Sequence, residues 1–139
     1  MAVCTYREVI KSRGEADVLD ITSLAENALL KSRLQNGILS VFVPGSTAAV
    51  TTIEFESGAV HDLQAAIERL VPKSLRYDHD TRWQDGNGYS HVRAALIKAG
   101  LSIPFEAGRL LLGTWQQVVL IDFDNRPRTR ELVFQIVGE

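Results

Sequence analysis

The sequence predicts one α+β domain, rich in strands, with a largely antiparallel C-terminal half. Three observations carry this. Two segments have helical composition and end at helix-stop residues, residues 24–35 and 57–70. Six or more short runs are β-branched or alternate in polarity. After Gly100 the chain consists of strand and turn signals alone. With 139 residues and 45% hydrophobic content, the chain suits a single core, residues 1–139, without linker or repeat.

The elements follow in order. Residues 3–10 mix β-branched and charged side chains and read as a strand. Arg13-Gly14-Glu15 turns the chain, and the alternating run 16–21 is expected to pair back as a hairpin. Ser23 and Glu26 have capping-box spacing ahead of a helix over 24–35, which Asn36-Gly37 stops. Residues 38–43 form an apolar strand expected to be buried on both faces, broken by Pro44-Gly45-Ser46-Thr47. The β-branched run 48–55 is the next strand. Ser57-Gly58 opens a second helix to about Leu70, with Val60, Leu63, Ile67 and Leu70 on one face and His61 beside that stripe. Residues 73–88 show no periodicity and are expected to be a loop. Residues 90–99 form a short helix, with Ser90 or Asn87 as its N-cap. Strands over 101–105, 109–112, 117–123 and 129–137 complete the chain, the last two joined by the turn Asp124-Asn125-Arg126-Pro127.

Composition narrows the function classes. A net charge of −2 gives no basic footprint for nucleic acid or an anionic membrane. No run of 18 apolar residues exists, and Arg7 and Glu8 stand where a signal peptide needs an apolar stretch, so a cytoplasmic protein is the expectation. Cys4 is the single cysteine, which rules out an intrachain disulfide and a cysteine zinc cluster.

Chemistry concentrates in one polar stretch, residues 77–91, holding Asp78, His79, Asp80, Asp85, Asn87 and His91 with three aromatics. It is either a solvated loop or a site, because it has too few aliphatic side chains to make a core. His79 and His91 are candidate metal ligands or acid–base groups, with Asp78, Asp80 and Asp85 able to orient an imidazole. The amides near Ser90, at a helix start, suit an anion, although a plain helix start has the same sequence. Glu54 shares a strand face with Val50 and Thr52 and is either solvated or a base at a strand end. Arg126, Arg128 and Arg130 alternate and so share a face. They either bind a phosphorylated ligand or pair with Asp122, Asp124 and Glu131.

Five motifs in order resemble one family. They are Gly45-Ser46-Thr47-Ala48-Ala49-Val50, Tyr77-Asp78-His79-Asp80, Asn87-Gly88-Tyr89-Ser90-His91-Val92, Leu112-Gly113-Thr114-Trp115-Gln116-Gln117 and Arg126-Pro127-Arg128-Thr129-Arg130. Together they resemble the YjbQ family, UPF0047, also labelled secondary thiamine-phosphate synthase. The resemblance runs from about Tyr6 to Glu139. It implies strands in two packed sheets with helices against them, and homotrimers with sheets about the threefold axis. It also implies a metal or small-ligand site near a subunit junction. His79 and His91 match the family's histidines, and Asn87, Ser90, Thr114, Trp115 and Gln116 match its other polar positions. Many relatives carry His-Thr-Ser where this chain has Gly45-Ser46-Thr47, so one imidazole is missing here.

The resemblance leads to an expected site with His79 and His91 as metal ligands and as acid–base candidates with Glu54. Glu54 or Asp80 would complete the shell of a divalent metal, zinc first and magnesium as the alternative. Ser46, Thr47, Asn87, Ser90, Thr114, Trp115, Gln116, Arg128 and Arg130 are the expected ligand contacts. The implied reaction joins a pyrimidine diphosphate and a thiazole phosphate to give thiamine phosphate. A non-catalytic metal- or ligand-binding trimer, or a polar loop that staples subunits, would carry the same residues. The expected partners are a second and third copy of the chain and a phosphorylated small molecule, with neither nucleic acid nor membrane.

Overall fold

A computed structural model describes residues 1–139. Eight strands and four helices run in the order β1 (Ala2–Ser12), β2 (Asp17–Asp20), α1 (Thr22–Ser32), β3 (Gly37–Phe42), β4 (Ala48–Ile53), α2 (Ser57–Leu70), α3 (Asp78–Trp83), α4 (Gly88–Ile97), β5 (Gly100–Glu106), β6 (Arg109–Leu110), β7 (Gln117–Asp122) and β8 (Arg128–Gly138). They build two antiparallel sheets: five strands ordered β1-β8-β3-β5-β6, and three ordered β2-β7-β4. No helix is long and apolar enough to cross a membrane.

Strand parity sets the layers. In β8, Leu132, Phe134 and Ile136 are fully buried and alternate with more exposed neighbours, so one face points inward. These residues meet Leu39, Val41, Ile103 and Phe105 of the same sheet and Val118, Leu120, Ala48 and Val50 of the other. Helix α1 joins this layer through Ala25, Ala28 and Leu29. Strand β7 is buried on both faces. Val119, Ile121 and Phe123 point away from the first layer into a second one with Ala49, Ile67 of α2 and Ala94 of α4. The order of layers is therefore α2 and α4, the three-stranded sheet, then the five-stranded sheet.

Several elements depart from the sequence expectation. Strand β2 pairs with β7 in the other sheet and does not fold back on β1. The Gly14, Glu15 and Ala16 turn, with φ of 72°, 53° and 62°, carries the chain across between sheets. Ser23 and Glu26 form no capping box. Asp20 Oδ1 accepts from the Thr22 backbone N–H and hydroxyl, and Arg33 in the left-handed region ends the helix. Strand β3 is buried on one face only, since Ile38 and Phe42 are about half exposed. Strand β4 stops at Ile53, before Phe55, and Leu70 is exposed at the end of α2. Residues 73–88 contain helix α3, whose Asp78 and Asp80 in the first turn and Arg82 in the last complement the helix dipole. Six residues are too few to show a 3.6-residue period, so the sequence alone predicts a loop there.

Three connections cross between sheets at the same end of the sandwich: β1 to β2, β3 to β4, and β7 to β8. Crossings interrupt strand pairing, so backbone groups there need other partners. Gly14 lets the first of them lie against the third. A Cβ on it would sit 2.3 Å from the Arg126 carbonyl oxygen. Polar side chains collect at this end.

Candidate functional site

The inner layer ends in charge. Asp122 continues the parity of Val118 and Leu120, and Arg130 continues that of Leu132 and Phe134, so the two meet where the apolar layer stops. Arg130 Nε donates to Asp122 Oδ2 at 2.7 Å and Nη2 to Oδ1 at 2.9 Å, a two-point pair. Ser12 Oγ donates to Asp122 Oδ2 at 2.6 Å. Thr47 Oγ1 accepts from Arg130 Nη2 at 2.6 Å and donates to Asp124 Oδ2 at 3.0 Å. Burial pushes the Asp122 carboxyl up, but the hydrogen bonds from Arg130, Ser12 and the Asp124 amide outweigh it and hold the pKa below its ordinary value. The hydrogen bond to Asp122 raises that of Arg130.

Beside this pair lies a cavity of about 540 Å³ lined by Gly45, Ser46, Thr47, Asp85, Asn87, His91, Asp124, Asn125, Arg126, Arg128 and Arg130, none of them hydrophobic. Arg128 Nη1 lies 3.5 Å from Asp124 Oδ2, and Arg126 Nε lies 4.0 Å from Asp124 Oδ1. Asp124 Oδ1 is buried without a hydrogen-bond partner.

At the other edge of the cavity, one ligand atom each from His79, Asp85 and His91 lies within 4.8 Å of the others. The two rings have centroids 4.3 Å apart. His79 Nδ1 is 3.2 Å from Asp85 Oδ1 and 3.7 Å from Asp80 Oδ1, yet it is buried with no hydrogen-bond partner. Two imidazoles and a carboxylate form a donor set suited to zinc or another divalent transition metal, and a buried unpartnered imidazole nitrogen fits that use.

Local sequence explains how residues twelve positions apart meet. Gly88 N donates to Asp80 Oδ1 at 2.8 Å, which ties the start of α4 to α3. A Cβ on Gly88 would lie 2.4 Å from the Tyr77 Cβ, so this approach needs glycine. The loop between these helices is held from the β7–β8 turn. Asn125 Nδ2 donates to the Asp85 carbonyl at 2.7 Å, and Asn125 N donates to Asn87 Oδ1 at 3.0 Å. Gly88→Ala should therefore push α3 from α4. We expect zinc affinity to fall at least about tenfold, the size of an outer-shell defect, read by competition with a chromophoric chelator. Unchanged affinity would mean that the Gly88 contact does not set the histidine geometry.

The structure gathers some expected site residues and scatters others. His79 and His91 come together, and Ser46, Thr47, Asn87, Arg128 and Arg130 line the cavity with His91. Ser90 is fully buried. Its Oγ lies 2.8 Å from Asn87 Oδ1 and 2.5 Å from the Phe123 carbonyl, so its one hydrogen serves the scaffold. Glu54 is exposed beyond the far end of β4, and Thr114, Trp115 and Gln116 are exposed just before β7. The pairs Ala48↔Asp122 and Ile53↔Gln117 mark opposite ends of one ladder. That ladder separates these four residues from the cavity by roughly 17 Å of strand. Gln116 Nε2 instead donates to Thr52 Oγ1 at 3.2 Å. The carboxylate that clusters with both imidazoles is Asp85, whereas Asp80 Oδ1 lies 3.7 Å from His79 Nδ1 only and Glu54 lies outside the cluster. Arg126, which the alternating arginines offer as an anion contact, lines the cavity as well. Asp122, Asp124 and Asn125 are not among the expected ligand contacts; the signal for the two aspartates is parity, because polar residues at 122, 124, 128 and 130 extend alternations that are otherwise core.

Comparison with known proteins agrees with the fold. The sequence profile of the family described as UPF0047 protein YjbQ-like matches residues 7–139. A UPF0047 protein of Methanothermobacter thermautotrophicus is 33% identical over 139 residues, covering 100% of this chain and 95% of that protein. The UPF0047 protein YugU of Bacillus subtilis is 29% identical over 130 residues, covering 93% and 96%. Among solved structures, a YbjQ-like protein of unknown function from Sulfolobus solfataricus superposes with a TM-score of 0.90 at 30% identity, over 99% of this chain and 100% of that one. A hypothetical protein from Aeropyrum pernix gives a TM-score of 0.89 at 31% identity, with 100% of both chains covered.

Proposed function

The chain belongs to the UPF0047 YjbQ-like family, and we propose that its working site is a divalent-metal centre on His79, Asp85 and His91 opening into an anion-binding cavity. The observation that carries this is His79 Nδ1, buried and unpartnered in a cluster of two imidazoles and a carboxylate. When bound, zinc supplies a Lewis acid for a ligand oxygen. The chain does the rest. Arg126 and Arg128 face the cavity with guanidinium groups bound only loosely to Asp124, and they receive the anion. Arg130 forms the rigid wall behind them, because two of its nitrogens are committed to Asp122 and Thr47. Asn125 holds the Asp85 loop against the arginine turn, so the two halves of the site are one unit.

The reaction that the family resemblance implies, formation of thiamine phosphate, would place the departing diphosphate at Arg126 and Arg128. A binding module without turnover would use the same geometry. The outer face of the five-stranded sheet exposes Val3, Val9, Ile38, Phe42 and Val137, which supports self-association of the kind the resemblance implies, a trimer. The test is calorimetric titration of the untagged, chelator-treated protein with zinc, with light scattering and a thiamine phosphate assay on the same sample. The expected result is about one zinc per chain on a particle of three chains. Product that appears with zinc and vanishes with chelator makes it an enzyme of that type. Zinc without product leaves the binding module, and absence of zinc uptake removes the metal centre.

A further inference from the structure

We propose that the polar cavity takes a small phosphorylated polyol, of the size and chemistry of a sugar phosphate. The proposal rests on the reading of this cavity as the ligand site, and it names the class of ligand. The first argument is the wall. With no hydrophobic residue among those lining about 540 Å³, a thiazole or pyrimidine ring gains no apolar contact from this chain. Ligand sites are ordinarily lined mostly by apolar and aromatic side chains, with a few polar groups for orientation. A cavity with only polar walls selects a ligand that is polar on all sides.

The second argument is the inventory of groups left over. Arg126 and Arg128 have Asp124 as their shared partner, at 4.0 and 3.5 Å, so most of their N–H groups remain for an anion. Asn87 uses its carbonyl on Ser90 and on the Asn125 amide, and Asn125 uses its NH₂ on the Asp85 carbonyl. That leaves the Asn87 NH₂ as a donor and the Asn125 carbonyl as an acceptor. Asp124 is 1% exposed and its Oδ1 has no donor. Arg126 stands 4.0 Å from that oxygen on an exposed side chain, so once Arg126 turns toward an anion, a ligand hydroxyl can reach Oδ1. Donors, acceptors and cations are thus interleaved. A bare phosphate satisfies the arginines and leaves the acceptors, whereas a phosphate on a hydroxylated chain satisfies both.

The test is calorimetric titration of the full chain, with and without zinc, using ribose 5-phosphate, inorganic phosphate and ribose as probes. Ribose 5-phosphate is expected to bind at least about tenfold more tightly than inorganic phosphate, and ribose far more weakly than either. Arg128→Ala and Arg126→Ala, both at solvent-facing side chains, should each weaken ribose 5-phosphate by roughly tenfold, the scale of a hydrogen bond to a charged group. Asp124→Asn should narrow the preference for ribose 5-phosphate over inorganic phosphate. Equal affinity for the two phosphates, with dependence on the arginines retained, would overturn the polyol proposal and leave the anion cavity standing. No binding of either phosphate would overturn both. Zinc uptake is read separately, so loss of the metal reading does not mimic either result.

Discussion

Replacing His91 by alanine is expected to lower zinc affinity by at least about 100-fold, since loss of a direct ligand exceeds the 10–100-fold cost of losing an outer-shell partner. The physical reason is the small donor set. In the proposed centre one imidazole is a third of the protein's donor set, and the next carboxylate, Asp80 Oδ1 at 3.7 Å from His79 Nδ1, is held by the Gly88 N–H at 2.8 Å. Asp85→Asn should act in the same direction while keeping the side chain's size. His61→Ala is the control, because His61 is exposed on α2 and outside the cluster. Competition against a chelator of known zinc affinity reads all three. Equal affinity in His91→Ala and the unaltered chain would take His91 out of the centre.

Arg130→Met is expected to destabilise the fold by about 3–5 kcal/mol, the cost of leaving a buried charge without its partner. For a domain of this length that corresponds to a melting temperature lower by roughly 10–20 °C. Asp122 is fully buried, and Arg130 supplies two of its hydrogen bonds. The pH dependence has a definite sign. The folded-state pKa of Asp122 lies below its ordinary value, so its contribution is present above the unfolded pKa near about 3.9. It is lost as pH falls through the folded pKa. The gap between Arg130→Met and the unaltered chain should therefore be full near neutrality and close below about pH 4. Replacing both partners, Asp122→Leu with Arg130→Met, should recover part of the loss. Calorimetric melting across pH measures each of these. A gap that is absent at neutral pH would mean that the pair does not support the fold.

Much of the architecture was legible in local pattern. The turn at Asp124-Asn125-Arg126-Pro127, the strands around it and the helix ending at Leu70 follow from periodicity and breakers that act within a few residues. Strand partnership did not follow, because β2 chooses β7 over its neighbour β1 through contacts far away in sequence. The two histidines announced themselves by composition, but the carboxylate that joins them did not. Asp78, Asp80 and Asp85 look alike in sequence, and it is the left-handed Gln84 and the Asn125 hydrogen bond to the Asp85 carbonyl that hold the Asp85 segment beside the histidines. The Gly113-Thr114-Trp115-Gln116 motif shows the opposite case. It is distinctive in sequence, yet it stands at the far end of the β7 ladder with Trp115 73% exposed. The arginines were the closest to a derivable site, since 128 and 130 keep the parity of Leu132, Phe134 and Ile136.

The most direct measurement is an anomalous difference map at the zinc absorption edge, from crystals of the untagged chain grown with zinc. The expected result is one dominant peak about 2.0–2.2 Å from a nitrogen of His79, a nitrogen of His91 and an oxygen of Asp85. A map with no peak among these three side chains, or with its strong peaks only elsewhere on the surface, would contradict the metal centre.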